Sequence, residues 1–409
     1  MNGGGSRCER LARTAATARA DRDCSVTSAR SRALLAVLSV ALLATLLGVL
    51  TPAGPASAAA TGTGRTFVVA PAGSDTAAGS WERPWRTFTY AFRQLLPGDT
   101  LLVRGGTYRE RVTSASFCPP TRAACPATST SRIVVAAAPG ERPVLRGLLW
   151  VRGADWWTFR GLTVAWDSTL DTVSDGHLVK FVDGVGWRFE NGEVSGSRSF
   201  SNILVTDAAA AGPAGWVLRG NCVHGNAGDP SHGTLRDHNL YLASGLAGSG
   251  LVEDNILFDA PRGDNIKIGV GAETGNGSSH IAVRWNTLDD ALTGVVVAYR
   301  SSSVRLERNL VGRVGSAATG GLGKSWYPAF RGIELTGTSN AVIANAWYAS
   351  GGGLVRNTFG TNNDSTRGLP NGTGELRLAD PRFDSTTSCS GFTPANASLP
   401  YGARYGRTH

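Results

Sequence analysis

Lysine is almost missing from this chain. Lys180, Lys267 and Lys324 are the only three among 40 basic residues, so arginine carries nearly all the positive charge. No phosphate-binding loop occurs, and the glycine-rich stretches lack the helix that such a loop feeds, which excludes that type of nucleotide site. No Cys/His spacing suits a structural zinc ion, and no pattern calls for a nucleic-acid partner. Apolar runs of membrane-spanning length are missing apart from Ala33 to Leu50.

That run follows an Arg-rich, low-complexity segment and precedes Thr51-Pro-Ala-Gly-Pro-Ala-Ser-Ala58. A positive stretch, an apolar stretch and small residues near Ala58 read as a secretory signal over residues 1–58. An uncleaved anchor is the alternative, and the long preamble leaves the true start open. The expectation is a secreted, monomeric protein with no membrane contact after cleavage. Residues 1–60 hold seven Arg against Glu9, Asp21 and Asp23, so the remainder keeps +5 of the formal +9. A mildly basic exported chain is compatible with an acidic polymer as partner, although high arginine usage also follows from genome composition. Of the six cysteines, Cys8 and Cys24 leave with the signal. Cys118 and Cys125 flank a proline-containing loop and suit a local disulfide in an oxidising compartment. For Cys222 and Cys389 the sequence leaves a packed thiol and a pair equally open.

Glycine, by contrast, is plentiful: 53 of 409 residues, roughly twice the usual share of about 7%. It accompanies a repeat. Trp216-Val-Leu-Arg-Gly-Asn221-Cys-Val, Leu251-Val-Glu-Asp-Asn255-Ile-Leu-Phe, Ile281-Ala-Val-Arg-Trp-Asn286-Thr-Leu and Val304-Arg-Leu-Glu-Arg-Asn309-Leu-Val share one pattern. Trp157-Thr-Phe-Arg-Gly-Leu162 and Trp187-Arg-Phe-Glu-Asn-Gly192 are earlier copies without the aligned Asn. Alternation inside the copies argues strand, and self-similarity at this period argues a solenoid with loops of unequal length. A second register precedes the copies: His177-Leu-Val-Lys-Phe181, Ser201-Asn-Ile-Leu-Val205, His238-Asn-Leu-Tyr-Leu242, Asp264-Asn-Ile-Lys-Ile268, Thr293-Gly-Val-Val-Val297 and Arg331-Gly-Ile-Glu-Leu335. Each coil therefore supplies at least two parallel strands, and equivalent residues stack about 4.8 Å apart.

Three columns follow from this stacking. Asn221, Asn255, Asn286 and Asn309 form an interior amide ladder at a turn. Trp157, Trp187 and Trp216 fill the core, the alternative being a sugar platform. Arg160, Glu190, Arg219, Glu253, Arg284 and Glu307 alternate in sign and set register, each opposite pair adding a few tenths of a kcal/mol.

Upstream, Phe88, Ala91, Phe92 and Leu95 share one helical face, and Pro97-Gly98 ends the helix. With Thr66-Phe-Val-Val and Leu101-Leu-Val this makes a strand–helix–strand plug for the exposed end of a solenoid. The expected fold is all-β, a right-handed parallel β-helix with an N-terminal strand–helix–strand cap. Its expected boundaries are 65–132 for cap and disulfide loop, 133–360 for the helix and 361–409 for the tail. Val69-Ala-Pro-Ala-Gly-Ser-Asp75, Pro97-Gly-Asp-Thr with Gly106-Thr-Tyr, Pro139-Gly-Glu-Arg-Pro-Val144 and Leu378-Ala-Asp-Pro-Arg-Phe383 resemble the opening and closing segments of secreted pectate-lyase-like β-helix proteins. That resemblance implies the fold. It leaves activity open, because the fold carries lyases, hydrolases, epimerases, binders and tailspikes.

Within the second register, positions two and four are expected to face outward. Column two then holds Asn239 and Asn265. Column four reads Lys180, Leu204, Tyr241, Lys267, Val296 and Glu334. β-Elimination on a uronate needs a base for the C5 proton and positive charge near the carboxylate. By resemblance, Lys267 is the base and Tyr241 or His238 its proton partner. Arg262 or Arg300 is the carboxylate clamp, with Asn239 and Asn265 as further substrate contacts. Asp237 and Asp264 are the candidate ligands for calcium, through hard oxygens. An outward lysine on a sheet is most often solvated surface, and a histidine at a strand start is most often a turn residue. An inverting hydrolase would need two separated carboxylates from Asp237, Asp264, Asp289 and Asp290, and Asp289-Asp290 reads equally as a solvated turn. A glycan-binding rod without chemistry is the non-enzymatic alternative. The expected partner in every case is an acidic polysaccharide.

Overall fold

The computed structural model describes residues 64–114, 127–207, 212–228, 237–270, 277–315, 327–358, 368–378, 381 and 383–392. The signal segment, Lys324 and the Cys118–Cys125 pair lie outside these residues. Three sheets, A, B and C, contain ten, ten and eight strands, and their strands pair in parallel among the described residues. One coil runs through Trp157–Arg160 in sheet A, Thr163–Ala165 in sheet B and His177–Val182 in sheet C before returning to sheet A at Arg188–Glu190. The chain is a parallel β-helix.

Local chemistry explains the sharp corner between sheets A and B. The residue before each ladder asparagine adopts a left-handed conformation, with φ of 59° at Asp254, 59° at Trp285 and 54° at Arg308. That bend leaves backbone groups facing the interior, where they need partners. The asparagines supply them. Asn255 Oδ1 accepts from the backbone N–H (2.9 Å) and Nδ2 (3.0 Å) of Asn221, while Asn255 Nδ2 donates to Leu218 O and Asn286 Oδ1. Asn286, Asn309 and Asn345 repeat the arrangement, so the ladder runs one coil beyond the four copies seen in the sequence. In the next position Glu375 Oε2 accepts from Asn345 N–H at 2.6 Å and ends the ladder.

The sign-alternating column is in register throughout, from Arg160↔Glu190 to Arg284↔Glu307. Glu253 lies between Arg219 and Arg284, within 2.6 Å of each. Trp157, Trp187 and Trp216 are fully buried, with Trp187 stacked on Trp216 at 5.6 Å. They are core.

Helix α1 (Phe88–Gln94) buries Phe88, Ala91 and Phe92. Thr87 caps it through Tyr90 N–H, and the Glu110 carboxylate accepts from Phe88 and Thr89 N–H. Phe92 meets Trp157 and Phe159 edge-on, closing the end of the first coils. From the tail, Leu378, Phe383 and Phe392 pack over the outer face of sheet B against Tyr348, Ile256 and Phe258. Cys222 and Cys389 are placed as a disulfide with Cα atoms 5.8 Å apart, a pairing the sequence left open.

Candidate functional site

The outer face of sheet C gathers the chemistry. Its central column is read from strand pairing as Trp150↔Lys180↔Leu204↔Tyr241↔Lys267↔Val296↔Arg331↔Arg356. Tyr241 and Lys267 are thus neighbours on adjacent coils, as the repeat alignment requires. Both are partly exposed. The last step of that alignment is corrected: Arg331, not Glu334, occupies the column. Phe330 takes the inward position opposite Val295, and Glu334 lies beyond the strand with φ of 44°.

A second column runs beside it at the corner where the chain enters sheet C. His177 pairs with Ser201, and Ser201 with His238. His177 Nδ1 and Ser201 Oγ share a hydrogen bond of 2.7 Å. The Asp264 N–H donates to His238 Nδ1 at 3.1 Å, which leaves the neutral imidazole's proton on Nε2. Asp264 Oδ2 lies 3.3 Å from the same nitrogen and pairs with it only when the ring is protonated. The Tyr241 ring sits between both histidines, 6.1 Å from His177 and 5.7 Å from His238.

Burial sets the protonation of this face. It raises the Tyr241 phenol, with Tyr299 adding to the effect. It pushes the His177 imidazole down to about 3, helped by Lys180 and His238, so His177 stays neutral. Burial also lowers Lys180. Tyr327 is raised by burial and by Asp264, against the pull of Arg331, whose guanidinium lies 5.2 Å over its ring.

Several expected roles move. Asn239 and Asn265 are fully buried rather than outward. At the corner from sheet B to sheet C they form a second amide ladder, Asn202 Nδ2 to Asn239 Oδ1 (2.8 Å) and Asn239 Nδ2 to Asn265 Oδ1 (2.9 Å). Their remaining N–H groups bond Phe258 O and Asp289 O in sheet B. A residue at a corner points into the bend, so strand alternation does not extend to it. These two residues are not substrate contacts.

Arg262 donates from Nε to Asp237 Oδ2 at 3.1 Å, and Asp237 is fully buried. Gly263 makes this approach possible, because a Cβ there would lie 1.9 Å from Asp237 O. Arg300 is exposed and lines a cleft of about 310 Å³ with Leu246, Ser279, Ser302 and Thr336. Tyr241, Lys267 and His238 form no part of its walls. The calcium donors fit poorly. Asp237 is fully buried with Oδ2 on the Arg262 guanidinium, and Asp264 Oδ2 faces a ring nitrogen of His238. Asp289 is no solvated turn either. It sits fully buried in sheet B, held by Arg313 and by the Tyr348 hydroxyl at 2.7 Å, and burial raises its carboxyl. Among the described residues one other donor cluster occurs, Cys222, His224 and Cys389. Its two sulfurs are joined to each other.

Sequence reasoning missed His177, Tyr327 and Arg331. The signal for His177 was present, since position one of the second register reads His177, Ser201, His238, Asp264.

Comparisons with known proteins bear on this architecture. No protein-family model matches the chain, and no curated protein matches it. Among solved structures, an alginate lyase from Paenibacillus sp. str. FPU-7 superposes with a TM-score of 0.52 at 12% identity, over 77% of this chain and 95% of that one. A rhamnogalacturonan lyase gives 0.50 at 12%, over 78% and 91%. XylC in complex with xylose gives 0.52 at 12%, over 76% and 68%. The likeness is one of fold. Two of these neighbours are named as polysaccharide lyases.

Proposed function

We propose that this chain is an exported lyase that cleaves an acidic, uronate-containing polysaccharide by β-elimination on the outer face of sheet C. The observation that carries the reading is the vertical pair Tyr241–Lys267 beside His238. Such an elimination breaks the C5–H and C4–O bonds and forms the C4=C5 double bond. Lys267 is the base that takes the C5 proton. Tyr241, kept protonated by burial, gives a proton to the departing C4 oxygen. His238 stands beside the phenol, its ring 5.7 Å from that of Tyr241. Arg331, two coils beyond Lys267 in the same column, offers the positive charge that stabilises the carbanion-like transition state.

The engagement of buried Asp237 with Arg262 supports elimination over inversion, which needs two carboxylates working across a water. The fold likeness to polysaccharide lyases supports the same class. The test is a panel of neutral and uronate polymers incubated with the purified protein. Unsaturated ends, seen by ultraviolet absorbance, support the reading. New reducing ends without that absorbance replace it with hydrolysis, and binding without products replaces it with a glycan-binding rod.

A further inference from the structure

Lysine is so rare in this protein that its placement carries information. Both described lysines, Lys180 and Lys267, lie in the same outward column of sheet C. Elsewhere on the described surface the cations are arginines, and many of those are tied into ion pairs. Lys180 is different. Among the described residues it makes no hydrogen bond or ion pair, and its ammonium lies 4.7 Å over the ring of Trp150, its neighbour in the column. Asp175, the carboxylate that acts on its charge, is committed to Arg111 by two contacts of 2.6 and 2.8 Å. Leu204 and Tyr241 separate the two lysines, which places their Cα positions three coils apart, about 14 Å.

We propose that Lys180, held on Trp150, is a distal subsite that binds a carboxylate of the same uronate chain several sugar units from the bond cleaved at Lys267. This rests on the reading of sheet C as the catalytic face and extends it to substrate length. Trp150 holds the ammonium in a fixed position at the edge of the face, where a desolvated cation gains from an anion it can reach. A compact ammonium offers three rotatable donors to one carboxylate oxygen, whereas a guanidinium at this position would favour a planar two-oxygen grip. Leu204, between the lysines, gives the intervening sugar an apolar surface. The subsite therefore rewards oligomers long enough to reach both cations and gives nothing to shorter ones.

The experiment is calorimetric titration of the full chain and of Lys180→Gln with size-fractionated oligouronates, under conditions that prevent turnover. The expected result is that oligomers spanning about 14 Å or more bind the variant roughly tenfold more weakly, the size of one charge-assisted contact. Oligomers too short to span the lysines give equal dissociation constants for both proteins. Equal affinities at every length, or an equal loss at every length, overturn the subsite while leaving catalysis at Lys267 standing. Wild-type protein that binds no oligouronate of any length overturns both.

A second measurement does not depend on the variant folding. With three lysines in the sequence, reductive methylation with a carbon-13 label gives a spectrum simple enough to follow each signal. Long oligouronates are expected to shift the Lys180 signal and to protect it from modification. A Lys180 signal unmoved while Lys267 responds refutes the proposal.

Discussion

Replacing one ladder asparagine tests how the coil corners are held. In Asn255→Ala the backbone N–H of Asn221 loses its acceptor, as does one N–H of the Asn221 amide. Leu218 O loses its side-chain donor but keeps its place in the strand ladder. Asn286 Oδ1 keeps the Asn255 backbone N–H at 3.0 Å and so retains a partner. Two buried donors are thus orphaned, each costing about 1–3 kcal/mol when water does not reach it. Some relaxation of the corner offsets part of this, which gives an expected loss of about 2–4 kcal/mol. A surface substitution changes stability by about 0.5 kcal/mol or less, so the effect stands clear of background. The assay is urea unfolding followed by far-ultraviolet circular dichroism, with Asn255→Ser and the exposed charge-ladder variant Arg284→Gln alongside. A solenoid can lose coils separately, so midpoint and slope are compared together. If Asn255→Ala costs no more than Arg284→Gln, the ladder is not what secures the corner and the reasoning fails.

Three other outcomes are expected. Burial pushes the Glu375 carboxyl from 4.5 up to about 7, against the opposing hydrogen bonds from Asn345. The folded chain therefore holds a proton that the unfolded chain releases, so this contribution is fully present below about pH 4.5 and is lost as pH rises through 7. Glu375 is half exposed, which reduces the effect to about 1 kcal/mol. Glu375→Gln keeps an acceptor for Asn345 N–H, and its melting temperature should vary less across that window; an unchanged profile contradicts the assignment. Peptide mapping without reduction should recover Cys222 linked to Cys389 across 167 residues, and removing both thiols should cost up to about 5 kcal/mol in the chain-entropy picture; unlinked peptides contradict it. Tyr241→Phe should lower turnover on a uronate polymer by roughly a hundredfold or more with little change in KM, as loss of a proton donor requires, and unaltered turnover removes the phenol from the chemistry.

The solenoid was legible because its signals are columns. Each of the Asn, Trp and Arg/Glu columns repeats one residue type or one alternation at equivalent positions, and stacking at fixed spacing makes such a column a physical contact. The same logic gave Tyr241 beside Lys267. It failed where the chain leaves the strand. Asn239 and Asn265 follow a corner, so period-two alternation placed them outside although they bond the turn from within. Arg331 was misregistered because Arg331-Gly-Ile-Glu-Leu mimics the pattern, while the anchoring Phe330 lies one residue upstream. Arg262 and Arg300 were chosen for nearness in sequence, yet one is drawn to buried Asp237 and the other lies past a strand end. The Cys222–Cys389 link spans too many residues for spacing to reveal it. Such partners depend on where loops return, and no periodicity encodes that.

The most direct test compares wild-type protein and Lys267→Gln on a saturating uronate polymer, reading unsaturated product as it forms. The base assignment predicts a rate lowered by roughly 10²–10⁴, with the dissociation constant changed by no more than about tenfold. Product forming at the wild-type rate in Lys267→Gln would contradict it.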